Sequence, residues 1–179
     1  ALKNDMIGLG GSNTSPVMAP WGGGKSAIGN NPLAIAVPTN KPYTLILDMA
    51  MSVVSGGKVR LEAVKGTKIP FGWILDEQGR PTDNPADMFP NGTLLPLGYK
   101  GFGLAIMIEI LSGVLTRAAI LNDIPLWFDK VSAPVNLGHF FMAFDIGSFL
   151  DPEAFKVRVG RMIDELKNSP PMEDSSGIL

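Results

Sequence analysis

Pro96-Leu97-Gly98-Tyr99-Lys100-Gly101-Phe102-Gly103-Leu104 runs straight into Ala105-Ile106-Met107-Ile108. The stretch reads as a glycine-rich turn with one lysine that opens an apolar helix over residues 101–117. A helix start exposes unpaired N–H groups and the positive end of the dipole. Glycines admit a ligand close to the backbone, and the lysine adds a full charge. The place suits an anion such as a phosphate or a carboxylate, although the same pattern also serves as a packing device. What precedes the turn matters. A dinucleotide fingerprint needs a strand ahead of its glycines, and here a proline loop stands there.

Working outward, the remaining chain alternates strand and helix patterns. Residues 5–9, 33–37, 44–47, 73–75 and 137–146 read as strands, and 54–64 reads as a helix ended by Gly66. Residues 44–47 are continuously apolar, which predicts a strand covered on both faces. Residues 10–32 and 76–95 are rich in glycine and proline and read as shaped loops. Asp151-Pro152-Glu153 opens a last helix with a capping acid, a proline at the first helical position and an acid in the first turn. Phe155, Val159, Met162, Ile163 and Leu166 form its apolar face. The helix over 101–117 is apolar nearly all round, which predicts burial. The alternation places the chain in the α/β or α+β class. A boundary after residue 147 separates an α/β domain from a C-terminal helix and tail over 148–179.

Composition bounds the partners. The 179 residues are 45% hydrophobic and 18% charged, with net charge −2 and mean hydropathy +0.19. No basic run accompanies aromatics, so nucleic acid is not an expected partner. The apolar run over 101–116 contains Glu109 and falls short of the ~20 residues a membrane span needs. With no cysteine and one histidine, a thiolate or histidine-cluster metal site is not expected. Absence of cysteine and of a visible signal peptide fits a cytoplasmic protein. The chain begins at Ala1 close to a strand and ends on apolar Gly177-Ile178-Leu179, so it reads as a fragment of a longer protein.

Four motifs carry candidate chemistry. Ala19-Pro20-Trp21-Gly22-Gly23-Gly24-Lys25-Ser26 satisfies a relaxed phosphate-loop pattern, with Ile46-Leu47-Asp48 as a strand ending in an acid. That alternative, a nucleotide triphosphatase, requires a helix to start at Ser26, and Gly29, Asn30, Asn31 and Pro32 stand against one. His139 is a candidate general base or a satisfied sheet histidine. Glu109, inside the apolar helix, must be paired or protonated, and structural pairing is the simpler role. Asp48 ends an apolar strand, where ligands gather in α/β sheets. It is either a group that accepts from ribose hydroxyls or orients a histidine, or the N-cap of the next helix.

Taken together, separated motifs in one order resemble the malate/L-lactate dehydrogenase family that lacks a Rossmann fold. They are Asn13-Thr14-Ser15-Pro16, Pro20-Trp21-Gly22-Gly23, Gly29-Asn30-Asn31-Pro32-Leu33-Ala34, Leu47-Asp48-Met49-Ala50, Gly57-Lys58-Val59, Ile69-Pro70, Gly72-Trp73, Gly79-Arg80-Pro81-Thr82-Asp83 and the opening stretch. The resemblance implies a partial chain with the mixed-sheet, non-Rossmann NAD(P)-binding fold of sulfolactate and malate dehydrogenases. It implies NAD- or NADP-dependent interconversion of a small 2-oxo acid and its 2-hydroxy acid by a homodimer. Thr44, Leu45, Ile46, Leu47, Asp48, Met49 and Ala50, with Tyr99 and Lys100, would border the cofactor, and Asp48 would support catalysis. The family's proton-donating histidine would lie ahead of Ala1, and a further cofactor-contacting segment after Leu179. A fragment that binds cofactor without catalysis is the second alternative.

Overall fold

The regular elements, in chain order, are β1 (Met6–Ser12), β2 (Leu33–Val37), β3 (Leu45–Met49), α1 (Gly56–Lys65), β4 (Ile74–Leu75), β5 (Pro81–Thr82), β6 (Thr93–Leu94), α2 (Gly98–Glu109), β7 (His139–Asp145) and α3 (Pro152–Lys167). They come from a computed structural model that describes residues 1–126, 134–173 and 175. The apolar end at Gly177, Ile178 and Leu179 lies outside the described residues. Contacts divide the chain into two units. Unit 1 is Ala1–Leu9, Ala34–Leu47 and Phe141–Leu179; unit 2 is Gly10–Leu33 and Asp48–Phe140. Each unit groups segments far apart in the chain.

In unit 1 the strands belong to a four-stranded sheet of order β3-β2-β1-β7. α3 starts as its sequence dictates. The Asp151 carboxylate accepts from the Ala154 N–H at 2.8 Å, and Pro152 stands in the first turn. Val159, Gly160 and Ile163 are buried, while Met162 and Leu166 are 45% and 57% exposed. The buried stripe is thus narrower than the apolar periodicity predicts. A Cβ on Gly160 would lie 1.9 Å from the terminal oxygen of the Asn40 side chain, which would have to swing away. Lys41 pairs with Asp164 at 2.6 Å and Lys156 with Asp5 at 2.7 Å. The strand pattern of β7 is exposed along most of its length, with Phe141 at 83%.

Unit 2 holds the larger core: Met18, Ile28, Met51, Val54, Val59, Ile69, Ile74, Met88, Leu94, Ala105 and Ile108. α1 is capped by Ser55, whose Oγ accepts from the Lys58 N–H at 3.2 Å, and it ends at Gly66 with φ +70°. The stretch expected as loop over 76–95 contains structure of its own. β4 pairs antiparallel with β5 and with β6, bringing Ile74 opposite Thr82 and Leu94. These two-residue strands are too short to show a period in sequence. Asp76 closes the β4–β5 turn by accepting from the Gln78 and Arg80 N–H groups.

α2 departs from expectation in two ways. It buries one face only (Gly101, Ala105, Ile108 and Glu109), while Leu104 and Met107 stay 45% and 54% exposed. It then widens into a π-helical turn, Ile110–Val114. At that junction Glu109 is buried and fully bonded. Its carboxylate accepts from Asn31 Nδ2 at 2.7 Å, from Asn13 Nδ2 at 3.3 Å and from the Leu121 N–H at 3.0 Å. The expected pairing is therefore structural, and neutral amides rather than a cation supply it.

Candidate functional site

β3 is an edge strand of its sheet. That explains a disagreement with the expected two-sided cover: Leu45, Ile46 and Leu47 are 39%, 60% and 45% exposed. Continuous apolarity does not distinguish a buried strand from an edge strand. Asp48, near the strand's end, is exposed. Among the described residues nothing donates to its carboxylate, and Ser55 rather than Asp48 caps α1. The capping alternative is thereby removed. Met49 packs against the core of unit 2.

Beyond Ala50 the backbone becomes rigid. Met51 is fully buried; its N–H donates to Asn30 O at 2.8 Å and its O accepts from the Leu97 N–H at 2.9 Å. The Val53 N–H donates to Leu95 O at 2.9 Å. A Cβ on Gly101 would come within 2.8 Å of Met51 O, so the start of α2 reaches this backbone only with glycine there. Asp48 precedes the Met51–Leu97 link by three residues, and Lys100 follows it by three. The Met51–Leu97 link therefore joins the segment that carries Asp48, Met49 and Ala50 to the one that carries Tyr99 and Lys100. Thr44, Leu45, Ile46 and Leu47 belong to unit 1 and continue the chain from Asp48.

The glycine-lysine turn proves to be the first turn of α2 itself, which starts at Gly98 rather than near Gly101. Gly98 has φ +60°, a conformation that suits glycine, and its N–H donates back to Pro96 O at 2.6 Å. No side chain caps Leu97. Among the described residues nothing accepts from the Tyr99 and Lys100 N–H groups. The Lys100 ammonium has no carboxylate partner among the described residues and sits 5.9 Å from the centre of the Tyr99 ring. An ammonium and two N–H groups at a helix start, none with a partner among the described residues, have the chemistry to receive an anion such as a phosphate, and the Asp48 carboxylate has that to accept from a hydroxyl or amide.

The other motifs sort out clearly. Residues 19–26 open no helix; the Gly23 N–H closes a turn onto Pro20 O at 2.9 Å, and Ser26 Oγ donates to Thr93 Oγ1 at 2.7 Å. Without a helix start there is no phosphate cradle, and the triphosphatase alternative falls. His139 lies in a strand as expected, at the start of a β7 that begins two residues later than the predicted 137, but it is exposed, so it is not the satisfied sheet histidine expected. Sequence reasoning missed a cavity of about 540 Å³ in unit 2, lined in part by Asn30, Ser55, Gly56, Gly57, Arg60 and Phe89. Gly56-Gly57 and the cation at Arg60 were its only legible signal. It also gave Trp21 no role.

Similarity to known proteins shows the family. The family model for malate/L-lactate dehydrogenase matches residues 1–179. The chain belongs to that family. It is 41% identical over 178 residues to a malate dehydrogenase of Pyrococcus abyssi, covering 94% of this chain and 48% of that protein. It is 37% identical over 150 residues to a (2R)-3-sulfolactate dehydrogenase (NADP(+)) of Chromohalobacter salexigens, covering 83% and 45%. It is 33% identical over 172 residues to a ureidoglycolate dehydrogenase (NAD(+)) of Escherichia coli K12, covering 96% and 48%. The solved sulfolactate dehydrogenase of Methanocaldococcus jannaschii superposes with a TM-score of 0.89 at 37% identity, over 99% of this chain and 51% of that one. The α/β fold is thus that of the sulfolactate and malate dehydrogenases, as the resemblance implies. The chain spans about half the length of the curated relatives it matches.

Proposed function

We propose that this chain supplies the cofactor-binding side of an NAD- or NADP-dependent oxidoreductase that interconverts a small 2-oxo acid and its 2-hydroxy acid. One observation carries the reading: the Met51–Leu97 hydrogen bond ties together the segments that carry Asp48 and Lys100, whose charged groups have no ion-pair partner among the described residues. Relatives named for both nicotinamide dinucleotides support leaving the cofactor as either. When bound, the dinucleotide supplies the hydride.

The protein's own groups do the rest. Lys100 and the N–H groups of Tyr99 and Lys100 hold an anionic part of the ligand by charge and helix dipole. Asp48 accepts from a ligand hydroxyl or orients the acid–base group that protonates the substrate oxygen. Leu45, Ile46, Leu47, Met49 and Ala50, with Thr44, form the strand along which the cofactor lies. The edge position of β3 leaves that strand open to it. A homodimer in the cytoplasm, acting on a small molecule, completes the reading. No helix among the described residues is long and apolar enough to cross a membrane.

Two measurements test the proposal. Fluorescence titration of the chain with NADH and NADPH should show saturable binding of at least one. The full-length protein assayed across a panel of 2-oxo acids should oxidise that same cofactor. Absence of binding defeats the proposal. Binding without turnover in the full-length protein would defeat the oxidoreductase part of the proposal and leave a cofactor-binding protein.

A further inference from the structure

Two large aromatic side chains of unit 2 stand in solvent beside Lys100. Trp21 is 58% exposed and Tyr99 63% exposed. Their ring centroids are 6.4 Å apart with the planes inclined at 67°, an edge-to-face pair. Neither belongs to a floppy segment. Trp21 occupies the second position of a tight turn that the Gly23 N–H closes onto Pro20 O at 2.9 Å, with Gly22 at φ +82° in the third. That is type II geometry, in which the third place calls for glycine. The turn grows from Ala19, which is fully buried and whose N–H donates to Leu94 O at 3.0 Å. Leu94 leads through Leu95 and Pro96 into α2. The frame that fixes Tyr99 therefore also fixes Trp21.

A rigid, half-open aromatic pair has unused π-faces. Each ring is more than half exposed, and Lys100 holds its charge 5.9 Å from the phenol centre. Such a surface favours a flat, polarisable ring carried next to a negative charge, because stacking and the ion attraction act on adjoining parts of one molecule. We infer that Trp21 is a cofactor-binding residue, forming with Tyr99 one clamp for a planar base of the dinucleotide while Lys100 takes the neighbouring phosphate. The inference rests on the dehydrogenase reading and deepens it. Both bases of the dinucleotide have the required chemistry, and AMP and nicotinamide mononucleotide separate them.

The test is titration of the wild-type chain, Trp21→Leu, Trp21→Phe and Tyr99→Leu with NADH and NADPH. It reads nicotinamide emission and quenching of indole emission, with far-UV circular dichroism and the thermal midpoint recorded for each variant. Trp21→Leu and Tyr99→Leu should each weaken binding about tenfold or more. The double variant should be little worse than either, since one surface is lost, and Trp21→Phe should keep part of the affinity. AMP or the mononucleotide, whichever carries the clamped base, should compete in the wild type and lose potency in Trp21→Leu. If Trp21→Leu does not fold, titration and competition with Trp21→Phe and Tyr99→Leu decide. Wild-type binding with unchanged affinity in folded Trp21 variants overturns the clamp alone. No wild-type binding overturns the dehydrogenase reading and the clamp with it. A fall in thermal midpoint with unchanged affinity would assign Trp21 to packing and also refute the clamp.

Discussion

Replacing Glu109 by glutamine removes one acceptor from a site that has no spare donors to give up. The carboxylate is 5% exposed. Oε1 accepts from Asn13 Nδ2 and from the Leu121 N–H, and Oε2 accepts from Asn31 Nδ2 at 2.7 Å. In Glu109→Gln the amide oxygen can keep the two donors at the first site. Its NH₂ then faces the NH₂ of Asn31. Asn31 cannot turn over to help, because its Oδ1 accepts from the Thr14 N–H at 3.1 Å and its Nδ2 also donates to Ala105 O at 2.9 Å. Asn13 is locked likewise, between the Gly138 N–H at 2.9 Å and Ala119 O at 2.8 Å. One bond to a charged acceptor is lost, about 2 kcal/mol, and opposed donors are left buried, about 1–2 kcal/mol more. Weakening of the other two bonds is offset by relief of a buried charge. The expected loss is about 3 kcal/mol, or a fall of roughly 6–12 °C in the thermal midpoint for a chain of this size. Urea unfolding followed by circular dichroism measures it, with the slope m unchanged. A Glu109→Gln protein within about 0.5 kcal/mol of wild type would refute the claim that both carboxylate oxygens hold this junction.

Asp48→Asn should leave stability within about 0.5 kcal/mol, since no described residue bonds its carboxylate. In the full-length enzyme it should lower turnover at least about tenfold; full retained activity removes Asp48 from the mechanism. Lys100→Ala should raise the Michaelis constant for cofactor or substrate about fivefold or more at low salt, with the difference shrinking as salt rises; unchanged constants for both defeat its role. Gly138→Ala should destabilise by about 3 kcal/mol or more, because its Cβ would lie 1.6 Å from Ser112 O, and thermal melting reads that directly. Asp76 is held below its ordinary value of 3.8, first by the hydrogen bond from the Arg80 backbone N–H. A carboxylate with a depressed folded value stabilises above its unfolded value and loses that contribution as pH falls through the folded one. Asp76→Asn should therefore flatten the fall in denaturant midpoint below pH 3.8, and an equally steep acid limb would contradict it.

What was legible in the sequence had local causes. β2 occupies the predicted residues because a short apolar run lies between prolines at 32 and 38. Asp151 and Pro152 announce α3, and Gly66 ends α1. What was illegible depended on partners distant in the chain. Glu109 could be seen to need bonds, but Asn13 and Asn31 lie 96 and 78 residues away. The exposed flank of α2 and the open edge of β3 look like core in composition, since apolarity records a need for cover without saying where the cover comes from. α2 begins early because Gly98 and a backbone turn start it with no capping side chain to read. Trp21 stayed invisible as a site residue because its partner Tyr99 is met only in three dimensions. Asp48 and Lys100 were legible as types in suggestive places; the Met51–Leu97 link that associates them was not.

The interleaving of the two units has a consequence for synthesis. Unit 2 possesses all of its residues once Phe140 has been made, whereas unit 1 holds the first nine residues yet waits for Phe141 onward. β1 is flanked by β2 and β7 in the finished sheet. On the ribosome it has β2 long before β7, and it presents an unpaired edge throughout that interval. β1 is thus made well ahead of its second neighbour in the sheet, and its open edge is the place for a chaperone to bind.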